Sequence, residues 1–246
     1  MPAVELEEAR SAAMGTAEKG AYVRRMFSAI APRYDLLNRV LSLSLDRSWR
    51  RRAIARLAVE RRPKGRYLDL CAGTLDVAAA IARLPSFEGA VIGADFAEAM
   101  LREARGKRRV PRVSAVTADA LCLPLADGCC SGAIVAFGIR NVIDLDVALR
   151  EAYRVLEPGA RFVILEFTTP RNRVVRAAYH GYFHHVLPRI GALVSGHHSA
   201  YTYLPVSVAH FPDERALGAR IEAAGFRDVS WETMMFGVAA IHVGNK

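Results

Sequence analysis

From Pro63-Lys64-Gly65 onward the chain repeats one pattern, a short apolar run followed by a helical segment, and nothing else in it restricts the architecture as tightly. Strand candidates run from Arg66 to Leu70, Gly89 to Ala94, Arg112 to Thr117, Ser131 to Phe137, Ala160 to Phe167, Phe226 to Met235 and Gly237 to Gly244. Helices fall between them near Thr74 to Leu84, Ala97 to Gly106, Asp144 to Leu156 and Asp213 to Ala224, with Gly225 as a left-handed cap on the last. Strands that alternate with helices form a mainly parallel sheet covered on both faces. The last two candidates are too close together for a crossover helix, so one runs antiparallel at the end of the sheet. The expected architecture is α/β, with seven mostly parallel strands and one antiparallel.

Upstream, Tyr22, Met26, Phe27 and Ile30 recur at helical spacing from Glu18 to about Ala31, where Pro32 stops the pattern. A second helical stretch, Asp46 to about Val59, puts Trp49, Ala53, Ile54 and Leu57 on one side and Arg47, Arg50, Arg51, Arg52 and Arg56 elsewhere. A solvated basic face is the plainer account of these arginines, and lipid contact the alternative. Residues 1–17 show little periodicity and are expected to be flexible. Residues 18–246 then form one domain, since no repeat or Gly/Ser linker divides them.

With 52% apolar and 24% charged residues, the 246-residue chain is neither disordered nor low in complexity. It is large enough to bury a core without disulfides. Cys71, Cys122, Cys129 and Cys130 show no CxxC pair and no zinc spacing, as expected of a reduced, cytoplasmic protein. The acidic stretch from Met1 to Glu8 lacks the apolar core of a secretory signal, and no apolar run reaches the roughly 18 residues that span a bilayer. A formal net charge of +9 suits an anionic membrane surface or a phosphate-rich partner, and equally well mere solubility.

In an open parallel sheet, ligands bind beyond the carboxyl ends of the strands, where the strand order reverses. After the first strand comes Asp69-Leu70-Cys71-Ala72-Gly73-Thr74-Leu75-Asp76, a tight turn in which Gly73 lets a ligand approach the backbone. Asp95 follows the second strand, about 20 residues beyond Gly73, where a carboxylate can accept hydrogen bonds from both hydroxyls of a ribose. Asp119-Ala120 follow the third, and Phe137-Gly138-Ile139-Arg140-Asn141 the fourth. A ribose-binding acid fits both NAD enzymes and S-adenosylmethionine enzymes, so the turn must decide. It lacks G-x-G-x-x-G and carries two acids, Asp69 and Asp76, which would repel a pyrophosphate but suit the ammonium and sulfonium of S-adenosylmethionine.

The block Asp69 to Asp76, Asp95, Asp119-Ala120 with Leu123-Pro124, Phe137 to Asn141, and Arg154-Val155-Leu156-Glu157-Pro158-Gly159 resemble the ubiquinone/menaquinone biosynthesis C-methyltransferase family. Phe27 to Asn38 resembles that family's entry motif, and Leu165-Glu166-Phe167, Tyr201-Thr202-Tyr203-Leu204, Phe211-Pro212 and Gly237 to His242 match downstream. The similarity is colinear over about residues 20–246. It implies a class I, Rossmann-like methyltransferase fold and methyl transfer from S-adenosylmethionine to a ring carbon of a prenylated quinol. Demethylmenaquinol is the favoured substrate, a polyprenyl methoxybenzoquinol the alternative. Carried over residue by residue, Asp95 takes the ribose, Asp119 and Ala120 the adenine, Gly73 and Thr74 line the cofactor turn, and Asp69 lies near the methionine ammonium. Arg140, Tyr34 and Asn141 fall where the catalytic network is expected, with Arg140 stabilising the phenolate or holding a relay water. The resemblance also implies a substrate-covering insertion near 168–212, peripheral membrane contact through the basic N-terminal helices and Arg171 to Arg189, no nucleic-acid partner, and room for a homodimer. The chain departs from the family pattern at Leu75, where a second glycine is usual, at His197-His198 and at Val206.

Plainer roles stand beside several of these. Asp69 could cap a helix, and Arg140 could be a surface cation paired with Asp144. His184, His185, His197 and His198 lack an acid or thiol spaced to complete a metal site, so no metal is expected, although His197 or His198 could serve as the base. Tyr179, Tyr182, Phe183 and Leu187 read as the buried side of a helix and, through the resemblance, as the lid. Two further functions remain open: methylation of a small phenol or polyketide, and a catalytically silent assembly protein that binds cofactor or quinone.

Overall fold

The computed structural model describes residues 2–14, 18–42, 44–182 and 198–246. Its elements are, in chain order, α1 (Pro2–Ala13), α2 (Lys19–Ile30), α3 (Tyr34–Leu41), α4 (Leu45–Leu57), β1 (Arg66–Leu70), α5 (Asp76–Ala82), β2 (Ala90–Asp95), α6 (Glu98–Glu103), α7 (Arg105–Arg108), β3 (Val113–Thr117), β4 (Cys130–Ala136), α8 (Leu145–Val155), β5 (Leu156–Phe167), α9 (Arg173–Gly181), α10 (His198–His210), α11 (Glu214–Ala223), β6 (Arg227–Met234) and β7 (Ala239–Asn245).

The strands make one seven-stranded sheet in the order β3-β2-β1-β4-β5-β7-β6. β1 pairs in parallel with both β2 and β4, so that Leu68 lies opposite Ile92 on one side and Ala133 on the other. β7 runs antiparallel to β5 and β6, which makes it the one reversed strand that the short final connection requires. The chain winds outward from β1 to β3 and returns to β4, placing the reversal of strand order between β1 and β4. That is where a ligand crevice forms.

Period-two alternation sends neighbouring residues of one strand to opposite faces. On β5, Val163 and Leu165 pack with Trp49, Ile54 and Leu57 of α4, whereas Phe162 and Ile164 pack with Leu149 and Val155 of α8 and Ile221 of α11. Fully burying each such side chain contributes about 1.5–3 kcal/mol. Asp144 and Asp213 accept the N–H groups of Val147 and Ala216, which starts α8 and α11 where the sequence places them.

Three differences from the sequence reading have local causes. The helix expected over Ala97 to Gly106 is two pieces, α6 and α7, meeting at Ala104. β5 begins four residues before Ala160, passing through Gly159 at φ +77°. The N-terminal residues, expected to be flexible, form α1: Ala9, Ala12 and Ala13 share one helical face and pack in a cluster with Tyr22, Val23, Met26, Tyr203 and Val208. Alanines present too little apolar contrast to show as a periodic signal, yet they are strong helix formers and allow close packing.

Candidate active site

The chain leaves β1 at Cys71 and β4 at Phe137, both in the left-handed region at φ +54° and +63°. Non-glycine residues held there cost on the order of 1–3 kcal/mol each, and such strain gathers at binding sites. Two cavities open at these strand ends, of about 440 and 390 Å³. They share a wall of Phe27, Tyr34 and Phe137.

The first cavity holds Gly73, Asp95, Asp119, Ala120 and Asn141 from the expected site, together with Tyr34. Asp95 is buried, and its two oxygens each accept one backbone N–H at 2.8 Å, from Gly73 and from Ala97. A carboxylate oxygen retains further acceptor capacity beyond one such bond, so both remain able to meet ribose hydroxyls. Burial pushes this carboxyl above its ordinary range while the two N–H donors oppose the shift. Gly73 sits at φ +53°, and a Cβ there would stand 3.4 Å from Met100 and 3.8 Å from Tyr34. Asp119 orders its own turn by accepting the N–H of Leu121 at 3.0 Å. Arg24 of α2 lies over the Phe96 ring at 5.5 Å, and both line the cavity, although the sequence reading singled out neither. This set of carboxylates, a guanidinium and an aromatic ring, without a phosphate cradle, fits S-adenosylmethionine.

Asp69 and Thr74 line neither cavity. Asp69 lies beneath the turn and accepts the Ala78 N–H at 2.9 Å, the helix-capping role weighed against ligand contact. The Thr74 hydroxyl donates to Asp35 of α3 at 2.5 Å, while Lys107 bridges Asp35 and Asp76 at 2.6 Å each. Leu75 keeps the left-handed conformation of the turn at φ +63° without being glycine. Its side chain is fully buried and points toward Gly93, where a Cβ would come within 2.2 Å of it, so it does not narrow either cavity.

The second cavity is apolar, walled by Met26, Ile30, Trp49, Phe137, Phe167, Tyr179 of α9 and Tyr182 just beyond its end. Into it comes Arg140, from the short helical turn Ile139–Asn141 after β4. Asp144 caps α8 and is not its partner; Arg140 is paired instead with Glu166 at 2.8 Å. Its Nη1 also donates to the Phe137 carbonyl at 2.6 Å, and its Nε is buried without a hydrogen-bond partner among the described residues. Asn141 accepts a hydrogen bond from the Tyr203 hydroxyl at 3.1 Å, which fixes its amide. Tyr34 faces both cavities; burial raises its hydroxyl pKa, opposed by Arg50, Asn38 and Arg140.

Arg50 of this cavity and Glu166, the partner of Arg140, escaped sequence reasoning. Glu166 stood only within a matched motif, and Arg50, read as part of a solvated basic face, is largely withdrawn from solvent, because Asp76 and Asp46 supply its counter-charges at 2.7 and 3.9 Å. Arg52 and Arg56 stay exposed and pair with Glu232 of β6. His184, His185, His197, Phe183 and Leu187 lie outside the described residues.

This sheet order, with a carboxylate after β2 and a crevice between β1 and β4, defines a class I S-adenosylmethionine-dependent methyltransferase. The same fold occurs in a SAM-dependent methyltransferase, possible histamine N-methyltransferase, from Thermotoga maritima, with a TM-score of 0.55 and 20% identity, covering 87% of this chain and 99% of that one. More particularly, residues 15–246 match the model of the ubiE/COQ5 methyltransferase family, and the chain belongs to it. It is 52% identical over 224 residues to a demethylmenaquinone methyltransferase of Thermus thermophilus, covering 90% of this chain and 100% of that protein. A ubiquinone/menaquinone biosynthesis C-methyltransferase UbiE of Geobacter sulfurreducens is 44% identical, with 93% of this chain and 90% of that protein covered.

Proposed function

We propose that this enzyme methylates a ring carbon of a prenylated quinol, with demethylmenaquinol as substrate and a polyprenyl methoxybenzoquinol as the alternative ring. The observation that carries this reading is the Arg140 Nε–H, buried and without a partner among the described residues, on an apolar cavity that shares a wall with the cofactor cavity. A greasy ring with one acidic oxygen satisfies both features. A small polar phenol would leave the rest of the cavity poorly filled, and a silent binding protein would not need the two cavities to meet.

Bound S-adenosylmethionine supplies an electrophilic methyl group. The protein's part is chiefly positioning. Asp95 and Asp119 hold the nucleoside, Tyr34 and Phe137 set the wall across which the ring carbon faces the methyl, and Asn141, steadied by Tyr203, orients the neighbouring groups. Arg140 stabilises the negative charge that develops on the ring oxygen as it ionises, which feeds electrons to the adjacent carbon. The guanidinium is too weak an acid to exchange protons itself, so the ring proton departs to another acceptor.

The substrate's tail suits a bilayer, and the surface near the cavity suits one too. Met235 and Phe236 line the cavity yet are 47% and 80% exposed, and Val174, 78% exposed, adjoins the cavity residue Val175. Arg173 and Arg176, both exposed, flank Val174 on α9. Apolar side chains beside cations favour an anionic lipid surface. No helix among the described residues is long and apolar enough to cross a membrane, and the contact proposed here is a peripheral one.

The test is methylation of chemically reduced demethylmenaquinone by the purified enzyme, with product identified by mass, beside flotation on anionic and neutral vesicles. Product formation with the quinol and not the quinone, and flotation on anionic vesicles that weakens in Phe236→Ser, support the reading. Turnover of soluble phenols alone, or no flotation at low salt on quinol-loaded vesicles, overturns it.

A further inference from the structure

Arg140 is not the only guanidinium on the apolar cavity. Arg50 of α4 lines it as well, with a side chain only 12% exposed. One nitrogen, Nη1, meets both Asp76 and Asp46. Its Nε is buried and has no hydrogen-bond partner among the described residues, the same condition as the Nε of Arg140. A buried charged donor left unpaired is costly, and a structural ion pair with Asp76 does not explain why the Nε side stays unsatisfied.

The two arginines grip one aromatic pair from different residues. The Arg50 guanidinium carbon is 5.9 Å from the centre of the Phe137 ring, and that of Arg140 is 5.6 Å from the centre of Phe167. Those rings are 4.6 Å apart and inclined at 35°. Trp49, next to Arg50 in the chain, packs on both. A flat ring lying along this aromatic surface would therefore find a cation near each of two edges.

We propose that Arg50 binds the second oxygen of the substrate ring, the one para to the oxygen held by Arg140, and so fixes which ring carbon meets the cofactor cavity. The inference rests on a quinol ring occupying this cavity. The chemistry separates the two oxygens cleanly. The hydroxyl adjacent to the reacting carbon donates electrons to it directly, whereas the hydroxyl para to that one stands meta to the carbon and does not activate it by resonance. Arg140 acts on the first and belongs to the chemical step; Arg50 acts on the second and belongs to binding and orientation.

The test is a cycle of one substitution and one substrate change. The substrates are a short-tailed dihydroxy ring and its monohydroxy analogue lacking the hydroxyl meta to the reacting carbon, each assayed with wild type, Arg50→Lys and Arg50→Met. Arg50→Lys keeps a cation for Asp76 and removes the Nε–H. Deleting the distal hydroxyl should cost wild type about tenfold in kcat/KM, mostly through KM, as expected when a buried polar group loses its partner. Arg50→Lys should lose a similar factor on the dihydroxy ring and almost nothing more on the monohydroxy one, with S-adenosylmethionine affinity within about twofold of wild type. Equal losses on both substrates would make Arg50 merely structural, and unchanged kinetics in both variants would remove it from the site. Failure of wild type to methylate the dihydroxy ring at all would overturn instead the quinol reading on which this rests.

Discussion

Arg140 and Glu166 are joined by a buried ion pair, with Nη1 2.8 Å from Oε1 and side chains 8% and 2% exposed. Oε1 also accepts the backbone N–H of Phe167 at 2.9 Å, so the carboxylate is itself held in place. Burial raises the Glu166 carboxyl pKa, and the Arg140 cation pulls it back down. One edge of the guanidinium is thereby fixed to β5, the strand beside β4, while the Nε–H remains without a partner among the described residues. Preorganised donors of this kind stabilise charge without reorganising during the reaction.

Arg140→Ala should lower single-turnover methylation of reduced demethylmenaquinone by about 100-fold, the scale of losing one preorganised donor. S-adenosylmethionine affinity, measured on the same variant by titration, should hardly move. Arg140→Lys should recover part of the rate, because an ammonium cannot reproduce the planar fork. Near-normal turnover in Arg140→Ala would pass the role to Tyr34.

Glu166→Gln leaves the Arg140 cation buried without its counter-charge. Breaking a buried pair from one side typically costs about 3 kcal/mol or more, and urea unfolding should show a loss of that order. Turnover should fall with it as Arg140 loses its orientation. A stability change under about 1 kcal/mol would mean that solvent or another group compensates Arg140.

Asp95→Ala should weaken S-adenosylmethionine binding by about 1.5–3 kcal/mol, the expected loss for charge-assisted hydrogen bonds. The substitution also frees the Gly73 and Ala97 N–H groups, so thermal unfolding of the apo protein should be followed beside calorimetry of the complex. Unchanged affinity would remove Asp95 from the cofactor site.

Asp69 links pH to stability. Burial pushes its carboxyl up to about 7, against the Ala78 N–H and the Arg50 cation; in the unfolded chain it titrates near about 4. Between those values the folded protein keeps a proton that the unfolded chain has released, so this contribution is full below about pH 4 and is lost as pH rises through about 7. Asp69→Asn keeps an acceptor for Ala78 but cannot ionise. Urea midpoints should show the variant gaining on wild type between about pH 5 and about pH 8. A difference that is the same at both pH values would show that Asp69 is not shifted.

The sequence by itself determined the elements of the sheet and the order of its turns, because strand periodicity, caps and turn residues act over a few neighbours. β1 falls at Arg66–Leu70 where the short apolar run stands, Gly225 takes φ +108° where a left-handed cap was expected, and Asp95 reaches Gly73 across the spacing that suggested a ribose site. Only the resemblance to the family pointed to Tyr34, Arg140 and Asn141 as candidates for the chemistry. Only the tertiary structure decided which charges are buried and what they meet. Arg50 looks like its exposed neighbours Arg51 and Arg52 until Asp76 is folded against it, and Glu166 becomes the partner of Arg140 only when β5 lies beside β4. Pairing of that kind joins residues far apart in the chain, where desolvation and Coulomb attraction depend on packing and leave no periodic trace. The alanine face of α1 and the wall shared by the two cavities arise in the same way, from surfaces that exist only once distant elements have docked.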